Sequence, residues 1–148
     1  MEIERKYLLK ELPKLENYPR RKLEQAYLCT APVVRVRRED DNYYMTYKGG
    51  GMLARAEHNL PLNEEAYEHL KKKADGNVIG KTRYLIPLED GLTAEVDVFE
   101  EPFAPLIMAE VEFSSEEQAN EFIPPEWFGK EVTFDEKYHN SYMSKMQF

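Results

Sequence analysis

A chain of 148 residues is close to the usual size of one domain and short of two, so a single domain spanning 1–148 is expected. Its 42% hydrophobic content excludes a disordered polypeptide, its net charge of −8 excludes a broad nucleic-acid surface, and no apolar run approaches the ~20 residues of a membrane span. The opening MEIERKYLLK has neither the basic start nor the apolar stretch of an export signal, and the lone Cys29 cannot form an internal disulfide.

These features predict a cytoplasmic protein without membrane contact, either a monomer or a homodimer, with Cys29 as a buried thiol. Charged residues make up 32% of the chain, above the quarter that is typical, and that surplus has to be placed somewhere.

Taken in chain order, most of the sequence alternates with a period of two. Strands are predicted at 2–10, 22–30, 33–39, 42–49, 53–60, 79–88, 92–99 and 106–113. Asp41-Asn42, Gly49-Gly50-Gly51 and Asp90-Gly91 supply turn chemistry between them, and such short connections imply antiparallel neighbours. Helices are predicted at 63–74 behind the Asn63 cap, at 115–122 behind Ser114, and at roughly 135–146. Each has one apolar face to bury. Pro124-Pro125 reads as a loop before a short strand-like stub.

Residues two apart on a strand share a face. Glu2, Glu4 and Lys6 therefore point one way, as do Arg35 with Arg37, Arg55 with Glu57, Lys81 with Arg83, Glu95 with Asp97, and Glu110 with Glu112; Lys48 continues the face of Tyr44 and Thr46. The opposite faces are mainly apolar. Charged faces turned to water would leave three amphipathic helices packing on charge, whereas apolar faces turned outward give them a surface to cover. The charges also come as like-sign doublets, which repel unless something of opposite sign lies between them. The fold class expected is α+β, mainly β: a closed eight-stranded antiparallel barrel with a charged interior and a few helices outside. So many charges require a wet, ligand-filled bore, because uncompensated desolvation costs several kcal/mol per ion. A polyphosphate satisfies the bases, and Mg²⁺ or Mn²⁺ satisfies carboxylates and phosphate oxygens together.

At these residues the sequence resembles the CYTH superfamily, the triphosphate tunnel metalloenzymes. The Glu-x-Glu-x-Lys signature stands as Glu2-Ile3-Glu4-Arg5-Lys6, and Arg35-Val36-Arg37, Lys48, Arg55-Ala56-Glu57, Lys81-Thr82-Arg83, Glu95-Val96-Asp97 and Glu110-Val111-Glu112 follow in family order. The segment Val132 to Asn140 is similar to the family's closing segment. The resemblance implies a divalent-metal-dependent triphosphatase acting on inorganic tripolyphosphate or nucleoside triphosphates. It implies two metal ions held by Glu2, Glu4, Glu110 and Glu112 with Glu95 and Asp97, a phosphate grip of Lys6, Arg35, Arg37, Lys48, Arg55, Lys81 and Arg83, and catalysis centred on Glu2, Glu4 and Lys6. Glu57 and Lys137 are further candidates: many members carry a second acid where this chain has Asn59, and an arginine where it has Lys137. Class IV adenylyl cyclases, thiamine triphosphatases and a non-catalytic polyphosphate- or nucleotide-binding module share the resemblance. An RNA 5′-triphosphate end is the one nucleic-acid feature such a pocket would take.

His58, His69 and His139 show no ligand spacing, and Trp127 and the tyrosines read as packing residues. Gly49-Gly50-Gly51 lacks the Lys-Ser/Thr and helix of a phosphate-binding loop and reads as a turn.

Overall fold

The computed structural model describes residues 1–148. Ten antiparallel strands follow one another as β1 (Glu2–Leu9), β2 (Arg20–Thr30), β3 (Val33–Glu39), β4 (Asn42–Lys48), β5 (Ala54–Arg55), β6 (Glu57–Leu62), β7 (Asp75–Pro87), β8 (Thr93–Phe99), β9 (Ile107–Glu112) and β10 (Phe128–Glu131). Helices α1 (Glu64–Lys71), α2 (Glu116–Glu121) and α3 (Asn140–Met143) are short. None is long and apolar enough to cross a membrane.

Hydrogen bonding runs β10-β1-β9-β8-β7-β2-β3-β4-β6, and β5 returns to β1. The predicted strand 53–60 is broken at Ala56 into β5 and β6, so one run of chain pairs with β4 on one side and closes the barrel against β1 on the other. Closure rests on two residue pairs, Glu2↔Arg55 and Ile3↔Ala54. Further along the same edge, β1 pairs with β10 at Tyr7↔Glu131 and Leu9↔Phe128. The expected eight-stranded circuit is thus present, with β10 as an additional stub that shares an edge with the closing strand.

Local chemistry moves several boundaries. The β3–β4 hairpin turns on Asp40-Asp41, one residue earlier than expected, with Asp40 at φ 51. Asp90-Gly91 makes a wider loop than a two-residue turn: Glu89–Gly91 forms a 3₁₀ turn, closed by the Leu88 N–H donating to Leu92 O at 2.8 Å. Helix α1 ends at Lys71, the first of the three lysines and short of the predicted 74, and β7 begins at Asp75, four residues before the predicted start. The predicted C-terminal helix is reduced to a 3₁₀ turn, Glu136–Tyr138, and the single turn α3, because His139 between them is extended (φ −83, ψ 135).

The outward faces are apolar, as the helices required. Tyr7, Val96, Ala109, Val111, Phe113 and Phe128 form one buried cluster with Ala119 of α2. Ala26, Val36 and Tyr67 of α1 form another. Tyr67 is fully buried and donates from Oη to Glu24 Oε1 at 2.7 Å, while Lys71 Nζ donates to the same oxygen at 2.9 Å. Because Lys71 keeps Glu24 satisfied, Tyr67→Phe should cost only about 1 kcal/mol in equilibrium unfolding. A much larger loss would mean that this hydroxyl anchors α1.

The inner face is not charged throughout. Alternation continues the inward rows of Arg35, Lys81, Asp97 and Glu110 into Val33, Ile79, Phe99 and Met108, which are buried together with Val132 and Met143 of α3. One end of the bore is therefore filled with apolar side chains. Gly76 (φ +73) lies against the Ser144 carbonyl, where any Cβ would collide, so the C-terminal segment docks closely on β7. Cys29 departs from expectation: it is exposed, with Sγ donating to Pro32 O at 3.1 Å. A register shift between Tyr27 and Cys29 breaks the alternation that would have buried it.

Candidate functional site

Strand register assembles the charged rows. Glu4 faces Glu112 and Lys6 faces Glu110 across β1 and β9; Glu95 faces Glu110 across β8 and β9; Arg83 faces Asp97 across β7 and β8. On the far wall Lys48 faces Glu57 across β4 and β6. These rows enclose a cavity of about 160 Å³, lined by 21 residues of which 3 are hydrophobic. Thirteen of the fifteen residues nominated from sequence border it: Glu2, Glu4, Lys6, Arg35, Arg37, Lys48, Arg55, Glu57, Lys81, Arg83, Glu95, Glu110 and Glu112.

Asp97 and Lys137 do not. Asp97 is 1% exposed and stands behind the wall, its two oxygens held by Arg83 (Nε to Oδ1 2.8 Å, Nη2 to Oδ2 2.9 Å) and Lys81 (2.8 Å). As a metal ligand it would have to give up both cations; the structure gives it the place of a buried counter-ion. Lys137 is exposed on the 3₁₀ turn outside the barrel, with its backbone N–H capped by Asp135. The place of Asp97 in the acidic lining is taken by Glu39, which continues the inward row of Arg35 and Arg37 and accepts from Tyr44 Oη at 3.1 Å. The lining keeps seven acids and seven bases.

Without ligand, most of these charges satisfy one another. Lys48 pairs with Glu2 at 2.8 Å and Glu57 at 3.6 Å; Lys6 pairs with Glu110 at 3.3 Å; Arg83 reaches Glu95 at 3.3 Å and Glu110 at 3.6 Å. Although burial pushes the Glu110 carboxyl up, Lys6, Arg83 and Lys81 hold it well below the usual range.

Three groups remain unpaired. Arg35 is buried, makes no ion pair and has its Nε without a partner. Glu4 and Glu112 face each other with neither hydrogen bonds nor ion pairs. Burial first, then the charges of Glu110 and Glu2, push the Glu4 carboxyl up to about 8. A half-buried carboxylate among acids lacks a cation, and a buried guanidinium without a carboxylate lacks an anion.

No three Asp, Glu, His or Cys side chains are preassembled as a metal cage. Carboxylate pairs without a full cage fit Mg²⁺ or Mn²⁺, hard ions that take one or two carboxylates and complete their shells with water and phosphate oxygens. The residues present therefore fit a divalent ion brought in with a phosphate ligand.

Sequence reasoning missed several lining residues. Tyr27, Tyr44, His139, Asn140 and Ser141 border the cavity, and Gln25 is buried beside it. For Tyr44 the signal was its shared face with Thr46 and Lys48. His139, set aside on spacing alone, enters from the C-terminal segment with Nε2 2.8 Å from Thr133 O. Burial, with the nearby Lys6 charge, lowers its pKa and favours the neutral ring.

A narrow antiparallel barrel with acids and bases interleaved on its inner wall is a receptacle for a compact polyanion and its counter-cations. The chain belongs to the CYTH domain family, whose model matches residues 1–147. It is 42% identical over 144 residues to an inorganic triphosphatase of Nitrosomonas europaea, covering 94% of this chain and 93% of that protein. It is 39% identical over 115 residues to an inorganic triphosphatase of Acetivibrio thermocellus, covering 76% and 71%. A crystal structure of an inorganic triphosphatase superposes with a TM-score of 0.74 at 37% identity, over 99% of this chain and 96% of the other.

Proposed function

We propose that this chain, acting as one unit over residues 1–148, hydrolyses inorganic tripolyphosphate to orthophosphate and pyrophosphate with a divalent metal ion, Mg²⁺ or Mn²⁺. The observation that carries this reading is the single cavity with seven acids and seven bases, in which Arg35, Glu4 and Glu112 are left without partners. The names of the two relatives at 42% and 39% identity support the same substrate. With 3 hydrophobic residues among 21, the lining offers little surface to a nucleobase or thiazolium ring, which favours the inorganic substrate over a nucleotide.

In the reaction one P–O–P bond of tripolyphosphate breaks and the oxygen of a water molecule joins the terminal phosphorus. Such a reaction needs positioning and charge stabilisation more than covalent chemistry. Arg35, Arg37 and Arg83 present forked donors that grip phosphate edges through parallel hydrogen bonds, while Lys6, Lys48 and Lys81 supply point charges on stems long enough to follow a moving phosphoryl group. Bases that pair with Glu2, Glu57, Glu95 and Glu110 in the free protein are transferred to phosphate oxygens, which frees the acids. Glu2, Glu4, Glu110 and Glu112, with Glu95, would hold the metal, and Glu2, Glu4 and Lys6, side by side on one face of β1, are assigned to the terminal phosphoryl group. When bound, a divalent ion neutralises phosphate charge and makes its coordinated water a stronger nucleophile.

The test is a phosphate-release assay on tripolyphosphate with Mg²⁺ or Mn²⁺, repeated in EDTA. Metal-dependent release of orthophosphate and pyrophosphate is expected. Cyclic AMP from ATP, or tight binding without turnover, would replace this reading with a cyclase or a binding module.

Lys81 adds a pH signature. Burial, aided by Arg83 and Arg37 and opposed by Asp97 and Glu110, pushes its pKa down to about 8. Below that pH the ammonium is charged and grips phosphate; above it the grip weakens, so at saturating divalent metal, which keeps Glu4 ionised at every pH, kcat/KM should fall as pH rises through about 8. The unfolded chain keeps its proton until the ordinary lysine range, so over that same window Lys81 makes the fold more stable as pH rises. Activity and this contribution to stability should therefore move in opposite directions, a divergence visible by pairing pH–rate profiles with thermal melts.

A further inference from the structure

Two neutral amides link bases on β3 and β7, the two strands that flank β2. Gln25, fully buried on β2, accepts at Oε1 from Arg37 Nε (2.9 Å) and Nη2 (2.5 Å) and donates from Nε2 to Asn140 Oδ1 (2.9 Å). Asn140, 7% exposed at the start of α3, accepts at that same oxygen from Lys81 Nζ (2.9 Å). Arg and Lys have donors only, so the two cations fix both amides in one orientation. The carbonyl of Gln25 must face Arg37, its NH₂ must face Asn140, and the carbonyl of Asn140 must face Lys81. The Asn140 Nδ2 is then left without a protein partner on a residue that borders the cavity.

The chemical type of these residues matters as much as their position. Arg37 makes no ion pair; its acceptors are Gln25 Oε1 and, at 3.4 Å, Tyr44 Oη. A carboxylate at either amide position would hold the same cation but cancel its charge. An amide carbonyl satisfies the donors, leaves the charge of Arg37 intact for a phosphate, and at Lys81 adds no second carboxylate to that of Asp97.

We propose that Gln25 and Asn140 are positioning residues for the phosphate grip, a neutral relay that orients Arg37 and Lys81 without adding negative charge to either, and that Asn140 offers its free amide N–H to a phosphate oxygen. The proposal rests on the tripolyphosphate reading above. It also explains why the C-terminal segment turns into the barrel at His139-Asn140 instead of continuing as a helix.

The isosteric variants Gln25→Glu and Asn140→Asp test it, because each keeps shape while placing a carboxylate on a cation. Calorimetric titration with tripolyphosphate in Mg²⁺ should show Kd raised roughly tenfold or more in each, the scale of one lost charge-assisted contact. KM should rise more than kcat falls, and the ligand-free Tm of Asn140→Asp should be unchanged or higher, since it gains an ion pair with Lys81 and keeps its bond from Gln25, whereas Gln25→Glu gains an ion pair with Arg37 and loses its N–H donor to Asn140. A merely structural role predicts the reverse, a lower Tm with Kd and KM unmoved, and that result overturns the relay. Should Asn140→Asp fail to fold, Gln25→Glu alone decides through Arg37. Wild-type protein in the same titration separates the two readings: no binding and no turnover of tripolyphosphate overturns both, whereas normal wild-type binding with unaffected variants overturns only the relay.

Discussion

Glu4→Gln is expected to lower kcat/KM for tripolyphosphate by on the order of 10²–10³-fold, equivalent to about 3–4 kcal/mol of lost electrostatic stabilisation, while leaving the fold as stable as before or more so. The two effects share one cause. Glu4 lies opposite Glu112 and two residues from Glu2, has no basic partner, and is pushed up to about 8 by burial and by Glu110 and Glu2. In the metal-free protein a charged Glu4 is a local cost, tolerated for what it binds. Its folded pKa lies above the unfolded value of 4.5, so its favourable contribution is complete below that value and is lost as pH rises through about 8. Thermal melts in EDTA should therefore show the wild type losing stability across that window and the glutamine variant losing less. Mg²⁺ or Mn²⁺ should raise the wild-type Tm and barely move that of the variant. A folded Glu4→Gln protein with wild-type turnover would remove Glu4 from the machinery.

Much of this architecture can be read from alternation alone, because a period of two fixes which side chains share a wall. Glu2, Glu4 and Lys6 fall on one side of β1 whatever the rest of the chain does, and only a barrel with charge inside lets the apolar faces of α1 and α2 find a surface. What alternation cannot give is depth along the bore. Glu95 and Asp97 share a face, yet Glu95 borders the cavity and Asp97 is sealed behind Arg83 and Lys81. Their difference is one step of register toward the apolar end, set by pairing with β7 and β9, strands distant in sequence. Cys29 was misplaced for a related reason: a bulge is a local defect that resets the alternation without a sequence mark. The C-terminal contribution was the least legible. Helical spacing over 135–146 is real, but the hydrogen bonds of Asn140 to β2 and β7 and of His139 back to Thr133 outweigh the few intrahelical bonds a short helix would add.

The position of Asp97 leads to the second large effect. Asp97→Asn should destabilise the metal-free protein by about 3–5 kcal/mol, the cost of removing one partner from a buried ion network. Burial alone would raise the Asp97 carboxyl, but Arg83 and Lys81 together hold it below its ordinary value, so it is charged at neutral pH and neutralises two buried cations at once. Asparagine preserves the shape and one acceptor, and Arg83 retains Glu95 and Glu110; Lys81 is left with the neutral oxygen of Asn140 and no carboxylate within ion-pair distance. The damage should therefore fall mainly on Lys81, which will lose its proton at a lower pH than in the wild type and carry the upper limb of the pH–rate profile down with it. A loss of this size is a large share of the roughly 5–15 kcal/mol that holds a typical domain together, so it should shift a denaturant midpoint strongly. If Asp97 were a metal ligand, the opposite pattern would follow: removing a repulsive acid from a metal-free site would leave unfolding in EDTA unchanged or improved, and the deficit would appear as weaker binding of Mg²⁺ or Mn²⁺. Unfolding curves in EDTA, set beside metal titrations of the same variant, choose between a counter-ion built into the wall and a ligand presented to the bore.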